Sequence, residues 1–234
     1  MAQNLRVAVD VGGTFTDICI MDETTGLVRI EKTSSTRDPI EGIMGGVSKA
    51  GIDLSKVALF SHGTTIATNA LLTGGLARVV LATTEGFRDV LGYRDGTRPA
   101  VYDLEQPRPR ELVPRRDRIE VAERLSGRGE VLIPLAEDEI DRVVAEIAER
   151  QPAAVAVSFL FSYLDSRHED ALAQALAKRL PDVPVTVSSA VAREFREYPR
   201  TATAALNAGL RPVVGAYLAQ LGREPSGSAS TRRC

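Results

Sequence analysis

Short apolar runs separated by tight turns open the chain. Leu5–Val11 and Phe15–Met21 each read as a buried strand, and Leu27–Lys32 as a third after a Gly-containing reversal at Thr24-Thr25-Gly26. Three short consecutive strands joined this way make an antiparallel meander. Helical spacing follows, with Ile40, Ile43, Met44 and Val47 on one face. Asp38 is placed to cap that helix, Pro39 suits its first position and Gly51 closes it. Val57–Phe60 reads as a short strand, Ser61-His62-Gly63-Thr64-Thr65 as a link, and Ile66–Leu72 as a helix stopped by Gly74-Gly75. Arg78–Ala82 is a further buried strand.

From Thr84 to Pro134 the periodicity weakens, and Gly, Pro and Arg become frequent around short strands such as Arg118–Glu123. A long excursion of this kind in a compact domain is often functional. Helical spacing returns at Glu137–Arg150, where Ile140, Val143, Val144 and Ile147 share a face. Ala153–Ser158 reads as a strand, His168–Leu180 as a helix and Pro184–Ser188 as a strand, which implies right-handed parallel crossovers. A last helical region runs from about Pro199 toward Leu221, with Pro212 placed to kink or split it. Residues 223–234 are neither periodic nor apolar and are expected to be disordered.

The turn between the first two strands carries the richest chemistry: Asp10-Val11-Gly12-Gly13-Thr14-Phe15-Thr16-Asp17. Glycines let a backbone turn sharply and approach a ligand. Successive amides in such a turn form an electropositive nest suited to phosphate. Thr14 and Thr16 add hydroxyls, and Asp10 and Asp17 add carboxylates able to hold a hydrated Mg²⁺. The stretch is not a Walker loop, since no Gly-Lys-Ser/Thr follows and no helix opens behind it. Nor is it the dinucleotide fingerprint, which needs strand, glycine turn and helix in that order. A strand–turn–strand arrangement is that of the phosphate hairpin of actin-like and sugar-kinase ATPases. A plain Gly-Gly turn is the competing reading.

Composition narrows the class. The 234 residues carry a net charge of −2 and 44% hydrophobic residues, so a proper core can form. No long basic run exists, which argues against nucleic acid. No apolar stretch reaches the roughly 18 residues of a membrane span, and the N-terminus shows no signal-peptide pattern, so a cytoplasmic setting is expected. Cys19 and Cys234 stand at opposite ends of the sequence and are not expected to pair. The two histidines, His62 and His168, have no neighbour at metal-ligand spacing, which argues against a zinc site.

Several motifs together resemble the N-terminal domain of the hydantoinase/oxoprolinase family. They are 10–17, His62-Gly-Thr-Thr-Ile-Ala-Thr-Asn-Ala-Leu72, Thr83-Thr-Glu-Gly-Phe-Arg-Asp-Val-Leu91, Arg98-Pro99 with Tyr102-Asp103-Leu104, Ser158-Phe-Leu-Phe-Ser162 with His168-Glu169, and Arg196-Glu-Tyr198 with Thr201, Thr203 and Asn207. The resemblance covers roughly residues 5–220. It implies an α/β fold: a ribonuclease H-like (actin-like ATPase) lobe with a mixed sheet flanked by helices, plus an additional α/β segment, in one family domain over 4–222. The order of three strands, helix, strand, helix, strand fits that core. Members of the family are far longer and close a second lobe over the ATP cleft. The expectation is therefore a chain ending after the first lobe, for which a truncated gene, a frameshift or a deliberately shortened chain would each account. Two departures stand out. Pro199-Arg200 replaces a charged residue before Arg-Thr, and Gly209 replaces a larger residue at a cost of about 1 kcal/mol within a helix.

The resemblance implies ATP and Mg²⁺ as cofactors, a cyclic amide as substrate, and a missing second lobe or partner subunit; self-association into a homo-oligomer stays open. An amide carbonyl is a poor electrophile because of resonance, and phosphoryl transfer to its oxygen would activate it for ring opening. Asp10 and Asp17 are the catalytic candidates, with Asp10 the metal ligand. Gly12, Gly13, Thr14, Thr16, Gly63, Thr64 and Thr65 are the nucleotide-binding candidates. Each has a plainer reading: Asp17 as a carboxylate capping turn amides, Thr64 as a helix cap, His62 as a strand-end histidine rather than a general base, Asn69 as a half-buried polar residue, and His168 as a surface or capping residue. Arg94, Arg98 and Tyr102 lie in the excursion, where an arginine could hold a substrate carboxylate. Two other functions remain open at this point: a subunit of an acetone or acetophenone carboxylase, and a non-catalytic fragment that binds a partner through an exposed apolar patch.

Overall fold

A computed structural model of the chain describes residues 4–36, 39–96, 102–103, 105 and 110–221. The chain divides into two compact units, one holding the described residues up to Gly75 and those from Val214 onward, the other Leu76–Val213.

The first unit is built on β1 (Leu5–Val11), β2 (Phe15–Asp22), β3 (Val28–Ser34), α1 (Pro39–Lys49), β4 (Val57–Thr64) and α2 (Ile66–Thr73). Its sheet has the order β3-β2-β1-β4, with β1 antiparallel to β2 and parallel to β4. Alternation along the strands turns Val7, Val9, Val11, Ile18 and Ile20 to one face, where they pack with Ile43 and Val47 of α1. The opposite face is open: Ile30 is 73% exposed, and Met21 and Val28 are exposed as well. This is the mixed-sheet lobe expected of an actin-like ATPase.

The second unit contains β5 (Val79–Thr84), α3 (Val90–Tyr93), β6 (Arg118–Val121), β7 (Arg124–Leu125), β8 (Val131–Ile133), α4 (Glu137–Glu149), β9 (Ala154–Ser158), α5 (Arg167–Arg179), β10 (Val185–Val187), α6 (Ser188–Val191) and most of α7 (Glu197–Leu221). Its sheet is parallel throughout, in the order β10-β9-β5-β6, and β7 and β8 form a small antiparallel pair. One face packs on α4 and α5 through Val143, Ile147, Leu172 and Leu176. The other packs on α7 through Ala205 and Ala208.

The pattern groups β5 with the first four strands, whereas it forms the centre of the second sheet. The reason is burial. Every residue of β5 is buried, so the strand needs cover on both faces, as parallel sheets provide. The first sheet has an open face and cannot give it. β4 also extends past its expected end at Phe60 to Thr64, because pairing with β1 continues to Val11↔Thr64. Pro212 does not split α7.

His168 is a correction. It is buried rather than a surface residue, with Nδ1 2.8 Å from Glu123 Oε2. Gly209 has a packing reason: its missing side chain lets α7 lie against Leu76, Ala77 and Val79. The expected cap Asp38, the excursion residue Arg98, Cys234 and the tail over 223–234 lie outside the described residues. Cys19 is half-buried and free. Among the described residues, no helix is long and apolar enough to cross a membrane.

Candidate functional site

Gly12-Gly13-Thr14 joins β1 to β2. The Gly12 N–H donates to the Phe15 carbonyl at 3.0 Å. Neither glycine has a positive φ, so the turn needs them for space rather than for a left-handed backbone. A β-carbon on Gly12 would stand 3.0 Å from the Phe15 oxygen, and one on Gly13 would stand 3.2 Å from Asn69 Nδ2. With the Gly12 amide committed, those of Gly13 and Thr14 have no acceptor among the described residues, and both residues are exposed. Two free neighbouring amides on a rigid turn are the elements of an anion nest.

Ser35 braces this loop from behind. Its N–H donates to the Thr14 carbonyl at 2.9 Å and its hydroxyl to the Gly12 carbonyl at 2.8 Å. The Thr16 hydroxyl lies 3.1 Å from the Ser35 hydroxyl and is fully buried. Its placement supports a bracing role, while Thr14 occupies the exposed rim.

Register puts four residues in one row across the open face: Lys32, Asp17, Asp10 and Gly63. Adjacent carboxylates repel. Lys32 Nζ relieves this by pairing with Asp17 Oδ1 at 3.2 Å. Asp10 is exposed and makes no ion pair or hydrogen bond among the described residues. It is the carboxylate left to take a cation or an ordered water. Its Oδ1 lies 3.2 Å from where a β-carbon on Gly63 would be, so Gly63 leaves room for it. An open hollow of about 380 Å³ over this face is lined by Ala8, Asp10, Asp17, Cys19, Ile30 and Gly63 among others.

The start of α2 is stitched to the end of β1. The Thr65 N–H donates to the Val11 carbonyl at 3.2 Å, and Asn69 Nδ2 donates to Thr65 Oγ1 at 3.2 Å. This brings the Asn69 amide beside Gly13. Thr64 Oγ1 accepts from the Ile66 N–H at 3.3 Å, a local turn contact rather than the expected cap, since the residue in the cap position is Thr65 and its side chain makes no capping bond. His62 shares a hydrogen bond between Nε2 and the Tyr217 hydroxyl, and its buried Nδ1 has no partner among the described residues. Burial pushes the His62 pKa below the usual histidine value, against an upward pull from Asp10. Burial likewise pushes the Tyr217 phenol up, with a hydrogen bond to Thr64 opposing it. Tyr217 and Ser35 are missing from the sequence reading, since no local pattern links either to the hairpin.

The donor set fits a magnesium nucleotide. Mg²⁺ is commonly held by one or two carboxylates together with phosphate oxygens and waters. Asp10 offers one carboxylate beside two free amides. No group of three or more Asp, Glu, His or Cys side chains able to cage a metal exists among the described residues. Arg94 and Tyr102 belong to the second unit; Arg94 Nε donates to the Tyr198 hydroxyl at 3.3 Å, and Tyr102 is exposed.

Residues 6–180 match the family model described as the hydantoinase/oxoprolinase N-terminal region. The chain belongs to this family. Among hydantoinase/oxoprolinase relatives, it is 33% identical over 232 residues to the caprolactamase subunit alpha of Pseudomonas jessenii, covering 94% of this chain and 33% of the relative. It is 30% identical over 227 residues to the acetophenone carboxylase gamma subunit of Aromatoleum aromaticum, covering 88% and 31%. The crystal structure of the ATP-dependent caprolactamase from Pseudomonas jessenii superposes with a TM-score of 0.84 at 34% identity, covering 93% of this chain and 33% of that one. The chain thus spans about a third of the length of these relatives.

Proposed function

We propose that this chain is the N-terminal ATPase lobe of an ATP-dependent cyclic-amide hydrolase. The observation that carries the proposal is the hairpin: amides at Gly13 and Thr14 that have no acceptor among the described residues, braced by Ser35, beside the carboxylate of Asp10, which is likewise unpaired among them. Similarity to an enzyme named as an ATP-dependent caprolactamase supports the choice of substrate class. When bound, Mg-ATP supplies the phosphoryl group that turns an inert amide oxygen into a leaving group. The residues of this chain position and neutralise, which is most of what phosphoryl transfer asks of a protein. The amides of Gly13 and Thr14 donate to phosphate oxygens. Asp10 holds the magnesium shell directly or through water, Gly63 keeps that carboxylate's place clear, and Asn69 sets the back of the turn.

The test is ATP hydrolysis by the complete protein, with any partner subunit supplied, in the presence and absence of ε-caprolactam, hydantoin and 5-oxoproline. Stimulation by a cyclic amide is expected. Turnover that responds instead to bicarbonate with acetone or acetophenone would move the assignment to the carboxylase branch, which the 30% identity to the acetophenone carboxylase subunit keeps in view.

A further inference from the structure

β3 is the outer strand of the first sheet, and among the described residues no strand pairs with its free edge. It runs beside β2 from Met21↔Val28 to Phe15↔Ser34 without a bulge. The two ends of that pairing fix which way its backbone faces. The Asp22 N–H donates to the Leu27 carbonyl at 3.0 Å, and the Ser35 N–H to the Thr14 carbonyl at 2.9 Å. Odd-numbered residues therefore turn their backbone groups to β2, and Val28, Ile30, Lys32 and Ser34 turn theirs outward. An open edge of this kind is a template for a further strand, and proteins usually blunt it with a bulge, a proline or an inward-pointing charge. β3 has neither bulge nor proline. Its lysine, Lys32, is drawn back over the sheet, with Nζ 3.2 Å from Asp17 Oδ1 and 5.2 Å from the centroid of the Phe15 ring. Ile30, in the middle of the strand, is 73% exposed, and Val28 and Leu27 are exposed as well.

The side chains decide which strand fits. Alternation puts Val28, Ile30 and Lys32 on the open face of the sheet and Arg29 and Glu31 on the other. The side chains of Arg29 and Glu31 make no ion pair or hydrogen bond among the described residues. Opposite charges two positions apart on one strand are complemented by an antiparallel copy of that strand. With the two Ile30 residues opposite each other on a twofold axis, Arg29 of each copy faces Glu31 of the other. The outward backbone groups suit this register: Ile30 exchanges both hydrogen bonds with its counterpart, and Val28 does so with Lys32. Arg29 and Glu31 then form non-hydrogen-bonded pairs, in which the Cα atoms approach to about 4.5 Å and the side chains are closest. Moving the axis by one residue sets Arg29 against Arg29 or Glu31 against Glu31, and like charges directly opposite are unfavourable. On the open face Ile30 meets Ile30, and the stem of Lys32 covers Val28.

We propose that a second copy of this chain docks on β3 through its own β3, antiparallel and centred on Ile30, so that the two four-stranded sheets continue as one. The contact is small, which places the dimer in the weak class, with a dissociation constant of about 10–100 µM. Sedimentation equilibrium of the chain without nucleotide, from about 5 to 500 µM, should show the mass rising from 25.2 kDa toward twice that value. Ile30→Lys puts two ammonium groups at the axis and should raise the dissociation constant about tenfold or more. Arg29→Glu and Glu31→Arg should each weaken the dimer about tenfold, because each turns both cross-strand pairs into like-charge pairs. The double variant, Arg29→Glu with Glu31→Arg, restores opposite charges in the same register and should return to within about threefold of the parent. That rescue is a result that neither a dimer built on another surface nor a damaged fold would give. Ile30 and Arg29 are exposed, and urea midpoints matching the parent check that their variants fold. A monomer up to about 500 µM, a dimer indifferent to these substitutions, or loss without rescue in the double variant overturns the proposal. Because the measurement omits nucleotide, its outcome is separate from that of the proposed function.

Discussion

Asp10 Oδ1 lies 3.2 Å from the position a β-carbon would take on Gly63, its in-register neighbour across β1 and β4. A methyl group there has to push the carboxylate aside by a few tenths of an ångström. Gly63 has no positive φ, so the backbone accepts alanine. Gly63→Ala should therefore leave stability within about 1 kcal/mol of the parent and lower ATP turnover of the complete protein about tenfold. Asp10→Asn, which removes the charge without moving it, should lower turnover by about a hundredfold. Urea titration beside a phosphate-release assay checks both, and full activity in Asp10→Asn would remove this residue from the site.

Gly45 and Gly46, neighbours on α1, separate two effects of one substitution. A β-carbon on Gly45 meets nothing within 4 Å, whereas one on Gly46 would stand 2.2 Å from Ile18 Cδ1 in the core. Gly45→Ala should stabilise the fold by about 0.5–1 kcal/mol through helix propensity. Gly46→Ala gains the same and loses more, because Ile18 is fully buried and must repack, for a net loss of about 1–2 kcal/mol. Opposite signs in the two urea midpoints are the expected result.

Much of the first unit is legible because its sheet is one-faced. Alternation along β1 and β2 names the core residues, and the polar hairpin between them stands out against it. Local pattern fails where burial is two-sided. β5 reads as a strand from its Val and Leu content, but an all-apolar run does not say which sheet it joins. It fails again for contacts between distant segments. Tyr217 meets His62 across 155 positions of sequence, and Ser35 reaches the hairpin from the far end of β3. Thr16 shows the limit of residue type: the hydroxyl sits in the motif, yet register turns it inward to Ser35.

His168 and Glu123 form a buried pair that the sequence hides as a helix-start residue and a loop carboxylate. Glu123 Oε2 meets His168 Nδ1 at 2.8 Å, and Glu123 Oε1 accepts from the Thr84 hydroxyl. That hydroxyl in turn accepts from the Leu160 N–H at 2.8 Å, so the carboxylate joins β5 to α5 and, through Thr84, to the segment just after β9. Glu123→Ala strips partners from two buried groups, His168 Nδ1 and the Thr84 hydroxyl, and should cost about 3–5 kcal/mol. A loss below about 1 kcal/mol in chemical denaturation would show the network to be slack.

His62 links the stability of the first unit to pH. Burial holds its imidazole pKa below the unfolded value of about 6.5. Between the lowered value and about 6.5, the unfolded chain binds more protons than the folded one. In that window stability rises with pH, is fully present above about 6.5, and is lost as the solution is acidified. Asp10 pulls the imidazole the other way, so Asp10→Asn should widen the window toward acid. Tyr217 accounts for the only hydrogen bond of the ring among the described residues, and Tyr217→Phe should cost about 1–2 kcal/mol at neutral pH by orphaning Nε2. Urea midpoints at about pH 7.5, 6.5 and 5.5 for the parent and His62→Gln isolate the contribution, since other titrating groups are common to both. The difference between the two proteins should shrink toward acid, and a difference constant across the range would show that His62 does not titrate with folding.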